Sequence, residues 1–454
     1  MSFSIFQLPQ ELYDGIVEQL CHRDLIRLSS TCKTYRAHLA PFVFHTIRFG
    51  NDQRTSDSAL AAAKTHGDHV RRLCFTYWAE PESDIERGEK PPVLKSRALL
   101  PASRQLLEGC ATSKADEVHL WVRITGMESD FFEKWNDPLC LLSYIEHPIE
   151  TMDAEKRFRW RAVLNETYQA IAKNTIVRRI YFRDVIALTV TAFNTRRFSE
   201  LLGRLTSASI SIIDPTCCWA NNATEIPGYR RFITRMPEIF FRHMHQLKHL
   251  MLGVAQCYPL GDREPNGINF PLRPGSLPLL QSLQINHSFV CPELVEFIAD
   301  HAKTLTCLIL VDCVSKYEAA AGGVIPEPSE TWALFFSQIT AFQPSALVYF
   351  SVEYVHKRLV EFCREEGDIF DNSLARRIER TEEAQVSQSL AVDPERKIFA
   401  YMGLDSQMTM TTNESVNRAQ ALRREDYYEY QRLMRLVKEN ARRVTRGRNQ
   451  RSTV

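Results

Sequence analysis

No window of this chain holds ~18 consecutive apolar residues, so no transmembrane helix is expected. The opening MSFSIFQLPQEL has neither a basic start nor a long apolar core, and does not read as a secretory signal. The 12 cysteines never form CxxC pairs and keep no framework spacing, so they read as reduced, mostly buried thiols of a cytoplasmic or nuclear protein. A surplus of one charge is also missing. The net charge of +1 gives no global bias toward nucleic acid or acidic partners.

The signatures of common chemistries are absent too. There is no GxGxxG or GKS/GKT phosphate loop, no HExxH, and no GxSxG elbow. His243, His245 and His249, with Cys257 downstream, come nearest to a metal set. His245 and His249 would share a face only on a continuous helix, and that helix is expected to end near His245. Gln246 also stands where a zinc hydrolase of that spacing carries Glu. Cys217-Cys218 beside Trp219 has no adjacent cation or base to depress a thiol pKa. No catalytic residue, metal site or cofactor is therefore expected, and the chain does not read as an enzyme.

What is present begins with LPQELYDGIVEQLCHRDLIRLSSTCKTYRAHLAPFVF, residues 8–44. It reads as three short helices. Pro9 opens the first, which carries Leu12, Ile16 and Leu20 every four residues. Asp24 caps the second, with Leu25 and Leu28. Ser29-Ser30-Thr31 caps the third, which presents Cys32, Tyr35 and Leu39 and ends at Pro41. Ile5, Phe6, Val17, Ile26, Phe42, Val43 and Phe44 add to an apolar load too large for so small a unit to bury alone. Either a partner protein or the following domain should cover the remainder.

The order LP-x-EL, Ile16, Leu20, Asp24-Leu25, Leu28-Ser29 and Cys32-Lys33-x-x-Arg36 resembles the F-box, over residues ~5–48. Tyr35 stands where many members carry Trp, which keeps an aromatic plate with a polar tip. The resemblance implies binding to the Skp-type adaptor of a cullin–RING ubiquitin ligase. It places Leu8, Pro9, Leu12, Ile16, Leu25, Leu28, Cys32 and Tyr35 near that adaptor.

From Val70 the pattern changes. Val70-x-x-Leu73-x-Phe75, Ala115-x-x-Val118-x-Leu120 and Val177-x-x-Ile180-x-Phe182 place apolar residues at one, four and six. Leu205-x-x-Ala208-x-Ile210, Leu247-x-x-Leu250-x-Leu252, Leu280-x-x-Leu283-x-Ile285, Leu305-x-x-Leu308-x-Leu310 and Leu347-x-x-Phe350-x-Val352 repeat it. Each is a short strand with period-two burial, entered from a bend. Helical stretches lie between them: Leu99–Cys110, Lys156–Lys173, Tyr229–His245, Pro292–His301 and Trp332–Phe342. Such units resemble leucine-rich repeats, although their spacing is irregular and long insertions interrupt it. An ordinary α/β or α+β domain is the alternative. The inserts Glu80–Pro92, Asp214–Gly228, Ala255–Pro278 and Ser315–Glu330 are expected on the surface as contact regions.

The expected fold class is thus α/β. A three-helix F-box-like bundle covers 1–48, an irregular leucine-rich-repeat-like strand–helix solenoid 49–365, and a helical, basic, partly disordered extension 366–454. Val416–Val444 reads as one long helix, and the end beyond Arg446 as frayed. Positions five and seven of each strand point away from the core. They offer His119, Trp121, Tyr181, Arg183, Met251, Gln284 and Asn286 as a face for a protein substrate. The resulting expectation is a non-catalytic substrate receptor of a cullin–RING ligase, with no membrane partner. The alternative is a nuclear or nucleic-acid-associated protein using the basic residues between Arg432 and Arg451.

Overall fold

The computed structural model describes residues 8–79, 92–124, 147–213, 227–254, 259–262, 267–318, 330–355, 374–393, 396–404, 410–412 and 414–451. Three helices come first: α1 (Gln10–Gln19), α2 (His22–Thr31) and α3 (Lys33–Val43). Their boundaries differ in detail from the expectation. Pro9 stands just outside α1, its carbonyl accepting from the amides of Leu12 and Tyr13 at 3.0 and 3.1 Å. Cys21, not Asp24, is the cap residue of α2, and its thiol donates to the Asp24 carboxylate at 2.9 Å. Ser29, Ser30 and Thr31 close α2, each hydroxyl donating to the carbonyl three residues back. Cys32 caps α3, its sulfur accepting from the Tyr35 amide at 3.4 Å. Pro41 does not end α3, which runs on to Val43. A proline in the last turn forfeits only one intrahelical hydrogen bond.

A nine-stranded sheet follows. Its strands are β1 (Thr46–Gly50), β2 (Arg72–Ala79), β3 (Glu117–Ile124), β4 (Arg179–Val185), β5 (Ser207–Ile212), β6 (His249–Val254), β7 (Ser282–Asn286), β8 (Cys307–Val311) and β10 (Tyr349–Glu353). They lie side by side in that order, and every neighbouring pair is parallel. All eight apolar triplets supply one strand each, and their fourth and sixth residues are buried, from Leu73 and Phe75 to Phe350 and Val352. β1 was not anticipated. Phe44-x-x-Ile47-x-Phe49 obeys the same spacing, and the strand straddles the boundary expected at 48.

The intervening helices are α4 (Gln53–His66), α5 (Pro101–Leu107), α6 (Pro148–Arg157), α7 (Arg159–Lys173), α8 (Arg196–Gly203), α9 (Pro227–Ile239), α10 (Pro292–Asp300) and α11 (Trp332–Ala341). They stack in chain order, α4 on α5, α5 on α7, α7 on α8 and α10 on α11, so one continuous core lies between helices and sheet. The helix expected over Lys156–Lys173 is two, broken at Phe158. The one expected to reach His245 stops at Ile239, followed by a 3-10 turn over Phe241–His243, so His245 and His249 share no helix. Cys257 and Cys217-Cys218-Trp219 lie outside the described residues. The Ala255–Pro278 insert is not all surface, since Leu260, Ile268, Phe270 and Leu272 are buried. Lys316, on β9 (Ser315–Glu318), reaches the buried carboxylate of Asp262 at 2.6 Å.

The C-terminal region closes the far end of the array. It comprises α12 (Leu374–Val392), β11 (Tyr401–Leu404), β12 (Met410–Thr412), α13 (Glu414–Arg423) and α14 (Glu425–Arg451). β11 pairs parallel to β9 and antiparallel to β12, a second small sheet. The single helix expected from Val416 breaks at Arg424, whose φ is 64°. α14 remains helical through Arg451, past the point where fraying was expected. It packs on α11, burying Tyr430, Leu433 and Val437 in the main core. Asn440 donates to the carbonyls of Pro344 and Leu347 at 2.8 and 3.1 Å. α14 is therefore part of the folded body and covers the last unit, as terminal caps of stacked repeats do.

Candidate functional site

Two surfaces combine unusual composition with defined geometry. The first is on the N-terminal bundle. Tyr13, Val17, Leu25, Leu39 and Val43 form its own small core, separate from the main one. Leu20, Leu28, Tyr35 and Phe44 pack at its edge. The bundle joins the array through the His45 carbonyl, which accepts from the amides of Arg71 and Arg72, and through Phe44 stacked on His66 at 3.8 Å. These contacts leave large apolar side chains open. Leu12 is 58% and Ile16 39% exposed, and Ile26 and Phe42 are exposed as well. One turn apart on α1, Leu12 and Ile16 share a face turned away from the Tyr13 and Val17 side. Of the other residues placed near the adaptor, Pro9 and Cys32 are exposed, and Leu8, Leu28 and Tyr35 half-buried. Leu25 is inside the bundle core, where it can support the surface but not form it. Ile5 and Phe6 lie outside the described residues.

The second surface is the outer face of the sheet. A groove of about 600 Å³ crosses it. His119, Trp121, Tyr181, Arg183, Met251 and Asn286 all line it. Gln284 sits beside them, donating to Asn286 at 3.0 Å. The parallel register explains the grouping. Cys74, His119, Tyr181, Ser209, Met251 and Gln284 are successive partners across β2 to β7, one row of position-five residues. The floor is low where side chains are small. β5 turns Ser209 and Ser211 outward, and β6 offers Gly253. A Cβ on Gly253 would come within 2.8 Å of the Asn286 Cβ, so only glycine permits this approach.

On the bundle side the groove is aromatic and cationic. His119 and Tyr181 stack with centroids 4.2 Å apart. The Trp121 ring carries two guanidinium groups, Arg123 and Arg183, each 4.1 Å from its centroid. Its N–H donates to Asp184 at 2.6 Å. Asp184 is delivered by a break in register between β4 and β5, where its φ of 55° turns the carboxylate back toward β3. The same left-handed residue closes β7 at His287 and β8 at Asp312. Below this lies buried Glu117, bound by Arg72, by Arg179 at 3.1 Å and by His119 at 2.7 Å. Burial works against its ionisation. The hydrogen bonds from His119 and Arg72 and the two arginine charges outweigh it, holding the carboxyl below its usual range. Burial also lowers the His119 pKa, with the Arg72 and Arg48 charges in support, against the pull of Glu117. The imidazole is therefore neutral near pH 7, and the carboxylate is balanced by arginines.

Sequence reasoning missed Arg48 because it stands on the unexpected β1, and Cys74 and Thr76 because they are neither aromatic, Arg nor Met. It missed Ser209, Ser211 and Gly253 because it looked for large side chains, while a depression needs small ones. Asp184 carried no sequence signal beyond being Asp at a strand end. Among the described residues, no group of three or more His, Cys, Asp or Glu could hold a metal ion, and no helix is long and apolar enough to cross a membrane.

The family model of the F-box domain matches residues 5–45. A comparison with curated proteins gives no match. The three-helix bundle is an F-box and the chain is an F-box protein, its F-box followed by an alternating region of parallel strands and helices and a C-terminal helical stretch. An F-box supports an adaptor role in an SCF-type ligase and implies binding to its Skp-type subunit; F-box proteins are generally non-catalytic adaptors.

Proposed function

We propose that this chain is the non-catalytic substrate-recognition subunit of an SCF-type ubiquitin ligase. The bundle docks on the Skp-type adaptor through the α1 face of Leu12 and Ile16, and the outer face of a repeat-like sheet holds a protein substrate. The observation that carries the reading is the pairing of these surfaces in one chain: apolar side chains left open on the F-box, and a groove on the sheet that follows it. Holding substrate and ligase together raises the effective concentration of one for the other, so no catalytic residue is required in this subunit. The action is expected in cytoplasm or nucleus, where thiols such as the exposed Cys21, Cys32 and Cys110 stay reduced.

The test is co-purification from the native cell of the wild type beside Leu12→Asp and a groove variant, Trp121→Ala. The reading requires Leu12→Asp to lose the adaptor but keep the substrate, and Trp121→Ala to do the reverse. A chain that keeps both partners in both variants would overturn it. The rival reading, nucleic-acid association, rests on the exposed basic residues of α14, Arg432, Arg435, Lys438, Arg442 and Arg443. Two of these are already matched within the helix, Arg432 by Glu429 and Arg443 by Glu439.

A further inference from the structure

The charges around the groove say what kind of segment it accepts, given the substrate-holding role proposed above. Arginines on this face fall into two groups. Arg72 and Arg179 are answered by Glu117, and Arg179 also by Asp116 at 2.9 Å. Arg123 has Asp184 at 3.8 Å. Arg48 and Arg183 are exposed, line the groove, and have no carboxylate partner among the described residues. Arg183 is also held in place, its guanidinium lying on the Trp121 ring opposite a second cation. A planar guanidinium fixed on an aromatic plate has its N–H edges free for an oxyanion and loses little freedom on binding one.

The spacing of the two free cations can be read from the register. Arg48 pairs with Cys74, Cys74 with His119, and His119 with Tyr181. Three strand steps of about 4.8 Å put Arg48 about 14 Å across the sheet from Tyr181, and Arg183 stands two residues, about 6.6 Å, further along β4, so the two arginine backbones are about 16 Å apart. An extended peptide rises about 3.3 Å per residue, so about four to five residues span that gap; residues i and i+4 point to the same side, and the long arginine side chains reach inward over the remainder. Between the cations the His119–Tyr181 stack offers a flat surface for the intervening side chains.

We propose that the groove binds an extended acidic peptide segment of the substrate, with one anionic side chain on Arg183 and a second, about four residues away, on Arg48. The net positive rim and aromatic floor complement such a segment, and they repel a basic one. Carboxylate and phosphate share the required chemistry.

The experiment uses the full chain co-purified with its Skp-type adaptor. A displayed random peptide library of about a dozen residues is selected against the complex, and the same complex carrying Arg183→Glu, Arg48→Glu or both is selected in parallel. Enrichment of acidic pairs at i and i+4 is expected, with binding of the selected peptides reduced about tenfold by each single reversal. Arg183→Lys, which keeps the charge but not the stack, should fall between. Replacing Glu by phosphoserine in a selected peptide assigns the anion, and tighter or weaker binding each leaves the anchor standing. Selected peptides without acidic residues, no selected peptides, or reversals without effect overturn the proposal. So does competition by a single-stranded oligonucleotide at equal concentration. Both arginines are exposed, so the reversals should fold, and thermal melting checks this. Adaptor co-purification is scored on every sample. Its failure in the wild type speaks against the receptor reading, whereas normal co-purification without acidic selection speaks against the acidic segment alone.

Discussion

The Tyr401 phenol donates to the Asp426 carboxylate at 2.9 Å, and both side chains are out of solvent. The same carboxylate accepts from the Ala333 amide at 2.8 Å, in the first turn of α11. One acid thus ties the start of α14 to α11 and to β11. Burial is the main reason that its pKa is pushed up to about 6. A carboxyl with a raised folded-state pKa binds more protons folded than unfolded. Its contribution is therefore most favourable at low pH and is lost as pH rises from ~4 to ~6. The loss is on the order of 3 kcal/mol. Urea unfolding of wild type and Asp426→Asn across pH 4 to 7 should show their stability difference declining over that window, with Asn, which still accepts both bonds, gaining on Asp. A difference independent of pH would refute this.

Leu12→Asp and Ile16→Asp should each weaken adaptor binding by roughly one to two orders of magnitude, because each removes about 1.5–3 kcal/mol of apolar burial and places a carboxylate in its stead. Neither should alter the far-UV spectrum, since both side chains face solvent. Val17→Asp, one turn from Tyr13 in the bundle core, should instead melt the bundle. Limited proteolysis near residue 45 distinguishes the two effects.

Leu433 is fully buried between α14 and the core, so Leu433→Ala should cost about 2–5 kcal/mol. Deleting 432–454 would take Leu433, Val437 and Asn440 away together and should yield insoluble protein. The nucleic-acid reading is better tested by changing Arg435, Lys438 and Arg442 to Gln. These lie on the exposed side of the same helix, so folding should be unaffected and salt-dependent oligonucleotide binding can be compared directly.

Gly253→Ala should destabilise by about 1–3 kcal/mol, through the contact of the new Cβ with Asn286 on the next strand. The displaced Asn286 would narrow the groove floor, so peptide binding should fall further than stability does. Equal binding to wild type would show that this part of the floor is not used.

The strands were legible because each unit repeats one demand on its sequence. In Leu305-x-x-Leu308-x-Leu310, as in the other copies, one residue enters from the bend and two face the helices, and tertiary context does not change that. The same periodicity placed the outward residues correctly, and register then aligned His119 with Tyr181 and Met251 with Gln284. β1 was lost because Phe44 was counted with the helices before it. β9 and β11 were lost for a different reason. Ser315–Glu318 and Tyr401–Leu404 become strands only by pairing with each other, across more than eighty residues of chain, and neither carries a local signal. The expectation of a basic extension rests on the charges of α14, whereas its packing on the array is carried by Tyr430, Leu433 and Val437 at helical spacing.

Because the strands of the sheet follow one another in chain order, position along it is additive. Each strand–helix unit moves the next by about 4.8 Å and touches little else. In the receptor role proposed above, a chain built this way works as a ruler. The gap between the adaptor-bound end and the resting place of the proposed cargo would then be set by how many units separate them, and adding or deleting one between β1 and β3 would shift that cargo by a single graduation while leaving the chemistry of both ends intact.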